Sequence, residues 1–270
     1  MAPHDSTLQP SPTLRVPLGK GAHFDVRLTN PTAGDLLAEI ERHLLAGQGF
    51  AIATINLDHV VKLRHSEAFR HAYGSHSHVV ADGNPIVWMS RLSGRPVTLV
   101  PGSELVEPVA AMAARTGMPI GFFGASDDSL ALAAAALEAR HPGLRIATRI
   151  APRHGFNPAG AEADACIAEM ATSPARLWLL ALGAPKQEIF AARAREKLPD
   201  RGFLSIGAGI DFIAGHQVRA PKFVQALALE WAWRMFGSPL RLVPRYARCA
   251  AAMPGLAGAA LQQRFVRGQP

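Results

Sequence analysis

From about residue 33 to 236, short apolar runs of strand length alternate with longer segments of helical period, and this alternation constrains the fold more than any other feature. A chain that repeats strand then helix covers both faces of a parallel sheet with its crossover helices. Candidate strands are 50–55, 78–81, 120–124, 144–150, 177–182 and 203–207. Candidate helices run through 33–47, 58–73, 84–93, 103–116, 127–140, 160–172, 186–197 and 221–236. The reading is one α/β domain, a mostly parallel sheet flanked by helices, and 270 residues are ample for its core.

The ends of the chain differ from the middle. Residues 1–22 carry Pro3, Pro10, Pro12 and Pro17 among Ser and Thr, a composition that predicts a flexible arm. The first twenty residues show no basic segment followed by an apolar one, so no secretory signal is expected. With 49% hydrophobic and 18% charged residues the chain is too apolar to be disordered. It also lacks the run of roughly 18 apolar residues that a spanning helix needs. Two cysteines, Cys166 and Cys249, make no disulfide or zinc framework, which fits a reducing, cytoplasmic setting. The net charge is +7, and from Trp231 onward six arginines stand without a lysine or carboxylate. Such a tail suits an anionic partner, whether phosphate-bearing lipid, an acidic bilayer or nucleic acid; a solvated basic end is the plainer alternative. A recognition-helix pattern and an interleaved aromatic platform are both missing, so no nucleic-acid partner is expected.

In open parallel sheets ligands sit outside the carboxyl ends of the strands. Four predicted strands end in polar residues: Thr54-Ile55-Asn56-Leu57-Asp58, Asp82-Gly83-Asn84-Pro85, Gly183-Ala184-Pro185-Lys186-Gln187-Glu188 and Gly207-Ala208-Gly209-Ile210-Asp211. Asp82 could be a general base at the mouth of a pocket, or it could cap the helix that starts near Pro85. Thr54 and Asn56 share one face of their strand and could grip a sugar or phosphate; equally, Asn56 or Asp58 could cap the next helix. The 183–188 turn opens a helix whose free N–H groups favour an anion, with Lys186 and Gln187 adding donors.

Several familiar motifs fail. Phe212 stands where a dinucleotide fingerprint needs its third glycine, and neither a P-loop nor a G-x-S-x-G elbow occurs. His71, His76 and His78 crowd one region without completing a zinc site, and are read as surface residues. Asp127 and Asp128 fit a helix start.

From about Leu28 to about Tyr246 the chain resembles the WecG/TagA/CpsF family of bacterial glycosyltransferases. The resemblance rests on Thr54-Ile55-Asn56, on Val80-Ala81-Asp82-Gly83 with Trp88 and the 91–96 run, and on Leu182 through Glu188. Its most diagnostic stretch is 207–215, followed by Arg219-Ala220-Pro221, Leu229-Glu230-Trp231, Arg234, Pro239 and Arg241. The resemblance implies a Rossmann-like sheet with a helical, basic C-terminal appendage from 238 to 270, beyond a glycosyltransferase domain at 23–237. It implies inverting transfer of a sugar from a UDP-sugar donor to a polyprenyl-diphosphate-linked acceptor at the inner face of the membrane, with no cofactor and no metal. Asp82 matches the family's proposed base, Thr54 and Asn56 line the acceptor or base side, and Gln187 contacts the donor. Gly83, Asn84, Gly183, Lys186, Glu188 and Asp211 complete the expected substrate-binding set. Arg219 belongs to it too, and so do Arg234, Arg241 and Arg245, tail arginines offered to the diphosphate in place of a metal ion. The family's Arg before the Gly of its R-V-x-G-like stretch is Leu99 here. Arg91, Arg95 or a tail arginine is left to take its place. A non-catalytic nucleotide- or lipid-binding component of the same pathway is the rival reading. A homo-oligomer is compatible with both.

Overall fold

A computed structural model describes residues 11–217, 220–221, 224, 230–237 and 239–267, with the backbone alone at 234, 236, 237, 239, 241 and 267. A hairpin of β1 (Thr13–Gly19) and β2 (Ala22–Arg27) precedes helix α1 (Ala33–Leu45). The alternation then runs β3 (Phe50–Ile55), α2 (Leu57–His65), α3 (Glu67–Ser75), β4 (His78–Ala81) and α4 (Asn84–Leu92). A 3-10 turn at Gly102–Glu104 leads into α5 (Val106–Thr116), β5 (Ile120–Gly124), α6 (Asp127–Arg140), β6 (Ile146–Ile150) and α7 (Ala161–Thr172). Next come β7 (Leu177–Ala181), α8 (Lys186–Lys197), β8 (Gly202–Ser205) and the short α9 (Gly209–Ile213). Two further helices, α10 (Glu230–Gly237) and α11 (Pro239–Arg267), end the described chain.

The central sheet has the order β4-β3-β8-β7-β5-β6, every neighbour parallel. Strand periodicity splits its side chains between two cores. Phe50, Ile52, Ile120, Phe122, Leu177, Leu179 and Leu204 face α1, α5 and α6. Between them, Ala53 and Ile55 face α2, α3 and α4, while Phe123, Trp178, Leu180 and Phe203 face α7 and α8. Burial on both faces is why these strands read as continuous apolar runs rather than alternating ones.

Three sequence expectations need correction. The Pro-rich segment read as a flexible arm to residue 22 instead carries strand β1. Leu14 and Val16 alternate with polar neighbours and are buried, and Pro17 sits where the pairing with β2 shifts register, so the missing N–H is tolerated. The single helix expected over 58–73 is two, because Ser66 is extended and its side chain caps α3 by accepting from the Phe69 amide. His76 and His78 are buried, not surface residues; Nδ1 of His76 lies 2.6 Å from the Ala72 carbonyl oxygen, and the His78 ring packs edge-on against Phe50. Of the helix expected at 221–236, residues 221, 224 and those of α10 are described; residues 222–223 and 225–229 lie outside the described residues.

Helix α11 packs against β1, α2 and α4. Leu242, Cys249, Ala252, Leu256, Ala259, Ala260 and Gln263 form its buried stripe, with Leu256 and Ala260 joining the core beneath the hairpin. Leu240, Val243, Phe265 and Val266 are exposed on it. Among the described residues no helix is long and apolar enough to cross a membrane.

Candidate active site

The four polar strand ends singled out in the sequence belong to β3, β4, β7 and β8, and these are the four adjacent strands β4-β3-β8-β7. Their carboxyl ends therefore lie along one edge, which carries residues 54–58, 82–85, 183–188 and 207–211.

Asp82 follows β4 directly, and its amide continues the ladder by donating to the Ile55 carbonyl at 2.8 Å. It does not cap α4: Gly83 occupies that position with φ +116°, a left-handed conformation that costs a residue without Cβ little. The Asp82 carboxylate instead faces β3. Its Oδ2 accepts from Asn56 Nδ2 at 3.3 Å and from Thr54 Oγ1 at 3.4 Å. Both contacts are long, so they orient the carboxylate more than they bind it. Asn56 serves both alternatives raised by the sequence, since its Oδ1 also accepts from the His59 amide at 3.1 Å and caps α2.

Thr54 is fixed from beneath. Tyr73 Oη donates to its carbonyl at 2.6 Å, and His59 Nδ1 lies 2.8 Å from that carbonyl and from the Tyr73 hydroxyl. Burial, more than any other influence, pushes the His59 pKa down to about 4, so the imidazole is neutral and serves as a hydrogen-bonding wedge. The Tyr73 hydroxyl is pushed up by burial first and then by the negative charges of Glu188 and Asp82. Gly102 closes the site from the α5 side. A Cβ there would stand 2.9 Å from the Ser205 carbonyl oxygen and 3.1 Å from Thr54 Cγ2, so the approach requires glycine.

Across the edge, Gln187 ties two strand ends together. Its Oε1 accepts from the Gly183 and Gly207 amides, each at 3.2 Å, while its Nε2 donates to Glu188 Oε1 at 2.8 Å. Glu188 is wholly buried, and its Oε2 has no hydrogen-bond partner among the described residues. Burial pushes its pKa up to about 7 against the opposing help of Gln187 and Lys62. These two side chains thus brace the loops from within, while Gly183 (φ +71°) and Lys186, the first residue of α8, stand partly exposed at the rim. Asn84, the first residue of α4, is partly exposed beside Gly83. Asp211 on α9 is engaged elsewhere. Its Oδ1 accepts from Ser129 Oγ at 3.0 Å and its Oδ2 from Gln217 Nε2 at 3.3 Å. It pins the 207–217 turn to the start of α6.

Beside the 183–185 loop, positive charge comes from Lys62, which the sequence did not single out, and from Arg245. Lys62 on α2 donates to the Ala184 carbonyl at 2.9 Å and pairs with Asp58 at 2.7 Å. Arg245 on α11, expected among the diphosphate ligands, pairs with Asp58 at 3.0 Å. Arg219 and the side chains of Arg234 and Arg241 lie outside the described residues. Leu99 is exposed, and its neighbour Val100 continues the sheet by donating to the Ala81 carbonyl. The i,i+4 spacing of Asp58 and Lys62 was readable as a helix pair. The Tyr73 prop under Thr54 had no local signal. At the opposite end of β4, Glu39, His43 and His78 bring ligand-type atoms within 4.8 Å of one another, and there Arg42 pairs with Glu39.

The fold and site define the class: an α/β protein whose polar site spans the carboxyl ends of four adjacent parallel strands. Within that class, the chain belongs to the glycosyl transferase WecG/TagA/CpsF family, whose model matches residues 22–270. Membership carries with it a sugar donor and an acceptor as substrates.

Proposed function

We propose that this glycosyltransferase moves a sugar, of the N-acetylmannosamine, uronic acid or related type, from a UDP-sugar to a polyprenyl-diphosphate-linked saccharide in surface glycan or exopolysaccharide synthesis. The observation that carries the reading is the carboxylate of Asp82, held by Thr54 and Asn56 at the carboxyl edge of the sheet. Asp82 takes the proton of the acceptor hydroxyl as its oxygen bonds to the anomeric carbon; the bond from that carbon to the UDP oxygen breaks on the opposite face, and the configuration inverts. UDP departs as an anion toward the 183–186 turn, where backbone N–H groups at the start of α8, Lys186, Lys62 and the arginines of α11 supply positive potential in place of a metal ion.

The lipid-linked acceptor places the enzyme at the cytoplasmic face of an anionic bilayer. Supporting this, Trp231 and Trp233 on α10 are 47% and 41% exposed and precede the arginine-rich α11, a pairing of interfacial aromatics with cations. The test is UDP release from a panel of UDP-sugars with and without a polyprenyl-diphosphate-linked saccharide, in the presence of EDTA. Acceptor-dependent release that survives EDTA, with an inverted anomer in the product, is the expected result. Donor binding without release across the panel would favour the non-catalytic rival.

A further inference from the structure

Asp58 is poorly placed to be an ordinary helix-start carboxylate. The cap of α2 is already supplied by Asn56, and the Asp58 side chain, only 12% exposed, is turned away to two cations. Its Oδ2 lies 2.7 Å from Lys62 Nζ on its own helix, and its Oδ1 lies 3.0 Å from Arg245 Nε on α11. Lys62 in turn donates to the carbonyl of Ala184, in the loop between β7 and α8. One partly buried anion thus links the C-terminal helix, the helix that follows Asn56 and the loop flanking the site. Charge attraction and close approach to Lys62 hold the Asp58 carboxylate there. Burial pushes the Asp58 carboxyl up, but Lys62 and Arg245 together outweigh it and leave it below the usual carboxylate range. Two cations against one anion leave this locus net positive.

We infer that Asp58 is a positioning residue: it holds Arg245 of α11 and Lys62 of α2 beside the 183–185 loop, so that the C-terminal helix and its positive charge stand where the leaving diphosphate must go. The inference rests on the proposed reaction for its consequence, but its structural half does not. Cys249 lies one turn beyond Arg245 on α11 and is buried at this junction, whereas Cys166 is buried in α7 away from it. The Cys249 thiol therefore reports whether α11 is docked, with Cys166 as the internal control.

The experiment measures Cys249 labelling by a thiol reagent, alongside UDP binding, in the full chain and in Asp58→Asn, Arg245→Ala and Arg245→Lys. Labelling at least tenfold faster in Asp58→Asn and in Arg245→Ala, with Arg245→Lys close to the parent and Cys166 unchanged in all, is the expected pattern. The same two fast-labelling variants should bind UDP at least fivefold more weakly. In turnover they should raise KM for the donor more than they lower kcat. Unchanged Cys249 labelling in Asp58→Asn overturns the inference, and so does faster labelling of both thiols, which would mean general loosening. A parent chain that fails to bind UDP overturns the proposed reaction instead, and leaves the labelling comparison intact.

Discussion

Asn56 divides its amide between two partners, and this makes its two roles separable by mutation. The oxygen caps α2 and the nitrogen faces Asp82. Asn56→Ser keeps a capping oxygen but removes the amide nitrogen that reaches Asp82, so thermal stability should stay within about 0.5 kcal/mol while transfer falls. Asn56→Ala removes both and should also cost about 1 kcal/mol, measurable by urea unfolding. Equal stability loss in the two variants would show that the cap geometry here is not the one described. Glu188 gives a second prediction at this scale. Its folded pKa, about 7, lies above the usual 4.5, so its stabilising contribution is fully present below about 4.5 and is lost as pH rises through about 7. Glu188→Gln removes that ionisation. Its melting temperature should gain on that of the parent by several degrees between pH 5 and pH 8, and a constant difference would contradict the buried placement of this carboxyl.

At the scale of elements, five of the six strands of the sheet were readable because they are buried on both faces and bounded by turn residues, while the edge strand β6 keeps only Ile146 and Ile150 buried. What the sequence hid were features decided by tertiary contact. The β1 strand looked like a Pro-rich arm because only Leu14 and Val16 mark its buried face, and the core that buries them includes Leu256 and Ala260 from the other end of the chain. The basic composition of α11 advertised a surface element, yet its stripe from Leu242 to Gln263 is buried. The site was half legible: the polar strand ends pointed to Asp82, Thr54 and Asn56, whereas nothing local showed that Gln187 and Glu188 turn inward or that Tyr73 and His59 prop up Thr54. Docking of α11 predicts that Leu256→Ala, at 1% exposure, destabilises by about 2–5 kcal/mol, as a core leucine does. A cost below 1 kcal/mol in urea unfolding would mean that α11 contributes no core.

For the molecule as a whole, acid should be more damaging than alkali over a defined window. His59, His76 and His78 have folded pKa values near 4, lowered first by burial from the ordinary 6.5. The unfolded chain takes up protons below about 6.5 that the folded chain refuses, so stability falls as pH drops from about 6.5 toward 4. Asp58, held below the usual carboxylate range by Lys62 and Arg245, adds to the loss further down. Membrane contact is also a property of this scale. Truncating α11 would uncover the hairpin and α4, so point changes are the sharper probe. Trp233→Ser should weaken binding to anionic vesicles severalfold without changing the melting temperature, whereas Trp231 also packs edge-on against Tyr246; undiminished binding would remove Trp233 from the membrane face.

The central claim is that Asp82 is the base. It is tested most directly by acceptor-dependent UDP release in the parent and in Asp82→Asn, which preserves shape and removes the proton acceptor. The expected result is a fall of about 10²–10⁴-fold in kcat with UDP binding retained. Turnover within a few-fold of the parent would contradict it.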